Sequence, residues 1–160
     1  MVLVTGMSGT GKSAALAELA HRGYRVVDTD YGGYSEEAPS SAEGGREQLW
    51  REKRIDALLD QHHDGVLFLS GCVSNQGKFY PRFDAVVLLS APVEVILERL
   101  TRRETNDFGK TDDERNRILH DLATVEPLLR AGATTEIDTR APLDQVVRAL
   151  ESIADSVASR

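Results

Sequence analysis

Five short runs, most of them continuously apolar and rich in β-branched residues, punctuate the chain: Val2–Thr5, Arg25–Asp28, Val66–Ser70, Ala85–Leu89 and Thr135–Asp138. They lack the polar–apolar alternation of a half-exposed strand, and so predict strands covered on both faces. Between them the apolar period lengthens to that of a helix. Lys12–His21 places Leu16, Leu19 and Ala20 on one side and stops ahead of Gly23. Glu47–His62 is expected to form a second helix, with Trp50, Ile55, Leu58 and Leu59 as its apolar positions. Val93–Arg103 repeats the pattern with Ile96, Leu97 and Leu100 behind Pro92. "TDDE" (Thr111–Glu114) predicts a capping box that opens another helix, broken or restarted near Pro127. "APLDQVVRALESIA" forms the last helix, with Pro142 near its start.

Strand and helix alternating throughout predict an α/β fold of three layers, a parallel sheet with helices on both faces. No internal repeat and no composition break divides the chain, so one domain over residues 1–160 is expected. The segment "YGGYSEEAPSSAEGGRE" (Tyr31–Glu47) is rich in Gly, Ser and Glu. It reads either as a surface connection or as a flap over a substrate.

Composition narrows the picture only a little. At 160 residues, with 41% apolar and 28% charged, the chain suits a water-soluble globular domain. A formal charge of −7 argues against a general electrostatic grip on nucleic acid, while a nucleotide site needs only local cations and backbone N–H groups. Cys72 is the single cysteine, so no internal disulfide can form. No apolar run approaches the roughly 20 residues of a membrane span, and the first residues already read as a strand rather than a signal peptide. A cytoplasmic location is expected.

The most specific chemistry lies in "GMSGTGKS" (Gly6–Ser13), between the first strand and the first helix. Gly6, Gly9 and Gly11 allow the backbone to curl so that successive N–H groups face inward, making an anion nest at the positive end of a helix. Lys12 is placed to reach the β- and γ-phosphates of a nucleotide, and the Ser13 hydroxyl to ligate Mg²⁺. Candidate nucleotide contacts therefore run through Gly6, Met7, Ser8, Gly9, Thr10, Gly11, Lys12, Ser13 and Ala14.

One strand later, "VVDTD" sets Asp28 and Asp30 two residues apart, on one side of an extended chain. Ligands of open parallel sheets sit beyond the carboxyl ends of the strands, so both carboxylates are aimed at the phosphate-binding region. One of them can hold the Mg²⁺ shell through water; the other can orient an attacking hydroxyl or take its proton. The third strand, "VLFLSGC", ends without an acid, which weakens the case for a motor or switch ATPase. Ser70 and Gly71 there are candidate metal-shell and substrate-approach positions, and Cys72 reads as a small packing residue.

"ERLTRRETNDFGKTDDER" gathers Arg99, Arg102, Arg103, Lys110 and Arg115 around a Gly-containing turn in an otherwise acidic chain. Positive charge on the moving phosphoryl group and exclusion of water are what phosphoryl transfer requires. Arg99, Arg102 and Arg103 are thus candidates to clamp phosphates or stack on a base, and a lid is expected around 102–113. "IDTRAP" (Ile137–Pro142) closes the last strand, where its backbone and Arg140 can line an adenine pocket. Asn75, Gln76, Lys78 and Arg82 follow the third strand as candidate acceptor contacts, and His62 and His63 read as surface residues.

Taken together, "GMSGTGKS", "VVDTD", "VVLLSAPVEVILERLTRR" and "IDTRAPLDQVV" resemble the small P-loop kinases of the nucleoside-monophosphate-kinase and shikimate-kinase type. The resemblance covers most of the chain, with only the first motif highly specific. It implies the P-loop NTPase fold with a five-stranded parallel sheet in the order 2-3-1-4-5, a lid, and an acceptor-binding region. It further implies ATP and Mg²⁺ as ligands, Asp28 on the metal side, Asp30 on the acceptor side, Lys12 and Arg103 at the transferring phosphate, and "DTRAP" beside adenine. The implied activity is transfer of the γ-phosphate to a small hydroxyl- or phosphate-bearing metabolite. A nucleotide or nucleoside kinase, or a nucleotide-binding regulator or weak ATPase without an acceptor, stand as alternatives. Shikimate kinases carry Gly-Gly-Gly after the third strand and adenylate kinases an Asp-Gly-Phe/Tyr-Pro-Arg run, whereas this chain has "SGCVSN". The acceptor is therefore expected to be neither shikimate nor AMP.

Overall fold

The five apolar runs do become strands, and they lie side by side. The computed structural model describes residues 1–40, 45–103 and 110–160. Strands β1 (Val2–Thr5), β2 (Arg25–Asp28), β5 (Leu67–Ser70), β6 (Ala85–Ser90) and β7 (Thr135–Asp138) form one sheet in the order β2-β5-β1-β6-β7. Every pairing in it is parallel. Numbering only these strands along the chain, the order is the expected 2-3-1-4-5.

Alternate side chains of the central strands feed two different cores, as the period of two requires. Val2 and Val4 of β1, with Phe68, Val87 and Leu89, pack under α1 (Lys12–His21) and α6 (Leu143–Ala158) through Leu16, Leu19, Val147 and Leu150. Leu3, Leu67, Leu69 and Val86 turn the other way, onto α2 (Glu52–Asp60) and a 3₁₀ helix (Gln76–Arg82) through Ile55, Leu59 and Phe79. Helix α3 (Val93–Arg102) packs on α4 (Asp112–Thr124) through Ile96, Leu100 and Ile118. The result is a three-layer arrangement in which β1 and its glycine-rich exit are enclosed from both sides. Among the described residues no helix is long and apolar enough to cross a membrane.

The capping box forms: the Glu114 N–H donates to Thr111 Oγ1 at 3.2 Å, and the Thr111 N–H donates back to Glu114 Oε2 at 3.3 Å. The break near Pro127 is also present, with α4 ending at Thr124 and α5 running Glu126–Gly132.

The expected helix over Glu47–His62 is corrected. Arg46–Trp50 is strand β4, paired antiparallel with β3 (Ser35–Pro39), and helix α2 begins only at Glu52. Ile55, Leu58 and Leu59 make a helical stripe, but Trp50, five residues before Ile55, would sit about 140° away from it around a helix. Trp50 is instead buried by extending the chain. The segment read as a connection or flap thus contains a two-stranded hairpin, with residues 41–44 outside the described part. Half of the lid expected around 102–113 falls on residues 104–109, which also lie outside it.

Arg22, just beyond α1, ties that helix to α6. Its guanidinium donates to Glu18 at 3.0 Å, to Asp144 at 2.7 Å and to Glu151 at 2.8 Å, and this company raises its pKa further, Glu18 first. Arg22→Ala is expected to lower the melting temperature, and the difference from wild type should shrink at high salt, because screening weakens such pairs. Thermal scans at low and high ionic strength check both.

Candidate functional site

The loop after β1 turns back over the carboxyl end of the sheet, and its glycines are required there. Gly6, Gly9 and Gly11 have φ of 153°, 84° and 92°, conformations costly for a side chain. A Cβ on Gly6 would run into the Leu89 carbonyl, and one on Gly9 would press to 3.1 Å from both Ile96 and Leu100. The loop is therefore pinched between β6 and α3 and delivers the first turn of α1, with its unpaired N–H groups, to the cleft.

Lys12 begins α1 and folds back over this loop. Its ammonium donates to Gly6 O at 2.6 Å and to Met7 O at 3.1 Å. Burial pushes its pKa down and Arg103 adds to that, while Cys72, Asp30 and Asp28 pull it back up. Ser13, the next residue, donates its hydroxyl to Asp28 Oδ2 at 3.1 Å. The other oxygen of Asp28 accepts the Asp30 N–H, also at 3.1 Å. Asp30 stands at the rim, its carboxyl raised above the ordinary range by partial removal from water and by Asp28, with Lys12 opposing.

Lys12, Ser13, Asp30, Arg99 and Arg103 line one cleft of about 320 Å³ together with Ser8, Gly9, Gly11 and Ala14. Residues that the sequence spreads over some ninety positions thus converge. A second cleft of about 260 Å³ adjoins it, bounded by Thr10, Thr139, Ala141, Leu143 and Val146 and sharing Gly11, Ala14 and Arg99 with the first. The first can accept anions on backbone N–H groups and cations; the second is predominantly apolar. Ser13 and Asp28 offer a hydroxyl and a carboxylate, the hard oxygen donors that suit Mg²⁺.

The arginines fare differently from one another. Arg99 donates to Gly9 O at 3.2 Å, to Thr139 Oγ1 at 2.9 Å and to Thr139 O at 2.5 Å, bracing the glycine loop against the turn after β7. Arg103 is the residue just beyond α3 and lines the first cleft. Arg102 pairs with Glu98 at 3.0 Å, and Arg115 donates to Thr101. Arg140 closes on Asp138 at 2.7 Å, so that its neighbours Thr139 and Ala141 line the second cleft.

The four candidate acceptor contacts after the third apolar run all have structural partners. Asn75 bonds the Trp50 backbone in both directions, at 2.8 and 3.0 Å. Gln76 is buried against Thr5 and Tyr80. Lys78 pairs with Glu52 and Arg82 with Asp56 and Asp60. Burial pushes the Cys72 thiol up, against the pull of Lys12 and Thr5, which suits a packing residue rather than a nucleophile. His62 bonds Arg25 and the Gly65 carbonyl at the far end of α2. Thr139, inside "DTRAP", has no charge to single it out, yet its hydroxyl and carbonyl hold Arg99. Thr29, between the two aspartates, carries no local signal at all.

A family model described as an AAA domain matches residues 2–120, a span that includes the glycine loop, Asp28, Asp30, Arg99 and Arg103. Solved structures share the fold. A shikimate kinase from Bacteroides thetaiotaomicron superposes with a TM-score of 0.65 at 17% identity, covering 96% of this chain and 97% of that one. A shikimate kinase from Acinetobacter baumannii, in complex with shikimate, gives 0.61 at 20% identity over 94% and 92%. A gluconokinase from Sinorhizobium meliloti gives 0.55 at 20% identity over 99% and 91%. Among curated proteins no sequence matches this chain.

Proposed function

The chain belongs to the AAA-domain family, and from that premise we propose that it is an ATP-dependent small-molecule kinase, moving the γ-phosphate of Mg²⁺·ATP to a hydroxyl- or phosphate-bearing acceptor. The observation that carries this reading is the convergence of Lys12, Ser13, Asp30 and Arg103 on one cleft, with Asp28 hydrogen-bonded to Ser13. A fold shared with shikimate kinases and a gluconokinase supports it.

In this reading the glycine loop and the first turn of α1 bind the donor phosphates through backbone N–H groups. The base enters the second, apolar cleft between Ala14, Ala141 and Val146, beside the braced Arg99. Lys12 exchanges the Gly6 and Met7 carbonyls for phosphate oxygens, and Arg103 adds a second cation. Ser13 and Asp28 would hold Mg²⁺, which when bound neutralises charge on the β- and γ-oxygens. Asp30, which lines the first cleft and not the second, orients the acceptor hydroxyl and takes its proton as that oxygen bonds the γ-phosphorus and ADP leaves. The hairpin of β3 and β4 is the acceptor-side flap.

ADP release from Mg²⁺·ATP, measured across sugars, polyols, nucleosides, nucleotides and aminoglycoside-type alcohols, tests the proposal. Stimulation by at least one acceptor class, with a phosphorylated product, is expected. ADP release that no acceptor changes would instead make the protein a hydrolase or regulator.

A further inference from the structure

Asp28 and Asp30 sit on a turn whose middle residue faces the other way, into the protein. Thr29 is fully buried, and every polar atom it has is bonded. Its N–H and its hydroxyl both donate to the Ser70 carbonyl, at 3.0 and 2.7 Å. Its hydroxyl oxygen accepts the indole N–H of Trp50 at 2.8 Å, and its carbonyl accepts the Ser35 hydroxyl at 2.9 Å. Ser70 ends β5, while Ser35 and Trp50 are the first and last residues of the hairpin, paired with each other in register. The sole tryptophan is itself fixed, by Asn75 on both backbone groups and by an edge-on contact with Phe79 at 5.6 Å between ring centres. Gly71 leaves this knot its space, since a Cβ there would run into Thr29 Oγ1 and approach the indole to 3.1 Å.

On either side of the buried Thr29, Asp28 reaches Ser13 and Asp30 lines the first cleft, so the turn that holds residue 29 inward is the one that presents 28 and 30 to the cleft. We propose that Thr29 and Trp50 are positioning residues: their buried hydrogen bond locks the turn that aims Asp28 and Asp30 at the cleft, and it fastens that turn to the base of the β3–β4 hairpin. The hydroxyl is the necessary group. It has one hydrogen, spent on Ser70, and its lone pairs receive the indole N–H, so an isosteric apolar side chain would leave a buried donor without a partner. The turn would then relax, and both carboxylates would move with it.

The kinetic half of this inference rests on the phosphotransfer reading, so the test includes a binding measurement that does not. Thr29→Val, Thr29→Ser and Trp50→Phe are compared with wild type for kcat, KM for ATP, and ADP affinity with and without Mg²⁺. Thr29→Val is expected to lower kcat by about 10- to 100-fold with KM for ATP within about twofold, since a displacement near 1 Å can cost that much. It should also reduce the gain in ADP affinity that Mg²⁺ confers, through Asp28, and leave Mg²⁺-free ADP binding unchanged. Thr29→Ser restores both, and Trp50→Phe reproduces the valine result if that variant does not fold. A valine variant with wild-type kcat and a wild-type Mg²⁺ effect overturns the proposal. So does a serine variant as impaired as valine, or equal weakening of ADP binding with and without the metal, which marks a merely structural role. If wild type shows no acceptor-dependent turnover, the phosphotransfer reading fails and the Mg²⁺-dependent affinity still decides this one.

Discussion

Lys12→Ala is expected to remove ATP-dependent turnover, lowering kcat/KM by about 10²- to 10³-fold or more, the usual cost of deleting a preorganised donor to transition-state charge. The fold should survive. The ammonium rests on two carbonyls of its own loop, and burial depresses its pKa. A lysine whose folded pKa lies below its unfolded value is held charged against the preference of its surroundings. Its contribution to stability therefore rises with pH between the folded value and the ordinary 10.5. Removing that charge offsets the two lost hydrogen bonds, and the melting temperature should stay within about 2–4 °C of wild type. Turnover and thermal melting on the same preparation check the pair of expectations. Retained turnover in a folded variant would sink the assignment of the glycine loop to donor phosphates.

Asp30→Asn should separate chemistry from binding in the opposite manner. Loss of a general base that touches the acceptor costs about 10²- to 10⁴-fold in kcat, while the donor phosphates lose no contact, so ATP affinity should change little. Stability gives an independent sign. The Asp30 carboxyl is raised by partial removal from water and by Asp28. A raised folded pKa means that the protonated form suits the fold. The associated stability is fully present below the unfolded value near 3.8 and is lost as pH rises through the folded value. The amide, which never ionises, should thus melt higher than wild type at neutral pH while being far less active. Equal losses in turnover and ATP binding would make Asp30 a metal or structural residue instead. The acid limb of the wild-type rate profile should also lie above the ordinary aspartate range, because the base must be ionised to work.

These two residues are legible in the sequence alone. "GMSGTGKS" between an apolar run and an amphipathic helix describes a nest and a helix end in a single local stretch, and three glycines with positive φ are what that stretch requires. Asp28 and Asp30 were legible because strand periodicity and the rule about strand ends place them without knowledge of any partner. The capping box at Thr111 and the break before Pro127 belong to the same class. Glu47–His62 is of the other kind. Trp50 has the look of one more helical apolar position, and only the arrival of Thr29, from twenty-one residues away, gives its indole N–H a buried acceptor in an extended chain.

The long polar side chains were illegible for a related reason. Asn75, Gln76, Lys78 and Arg82 resemble a reading head for an acceptor, yet each meets a partner about 3 Å away that belongs to another element. Arg99 reads as a phosphate clamp; it lines both clefts, and its bonds to Gly9 and Thr139, which hold it there, are invisible in the sequence. What the sequence determined by itself is the five strands of the parallel sheet and most of the helices, the glycine-rich turn and the outward pair of carboxylates. Each follows from backbone hydrogen bonding, periodicity and allowed φ within a few residues. What only the tertiary structure decided is the hairpin, the partners of the arginines and the lock on Thr29. A flexible polar side chain has no preferred partner until the fold brings one within hydrogen-bonding distance and takes the water away.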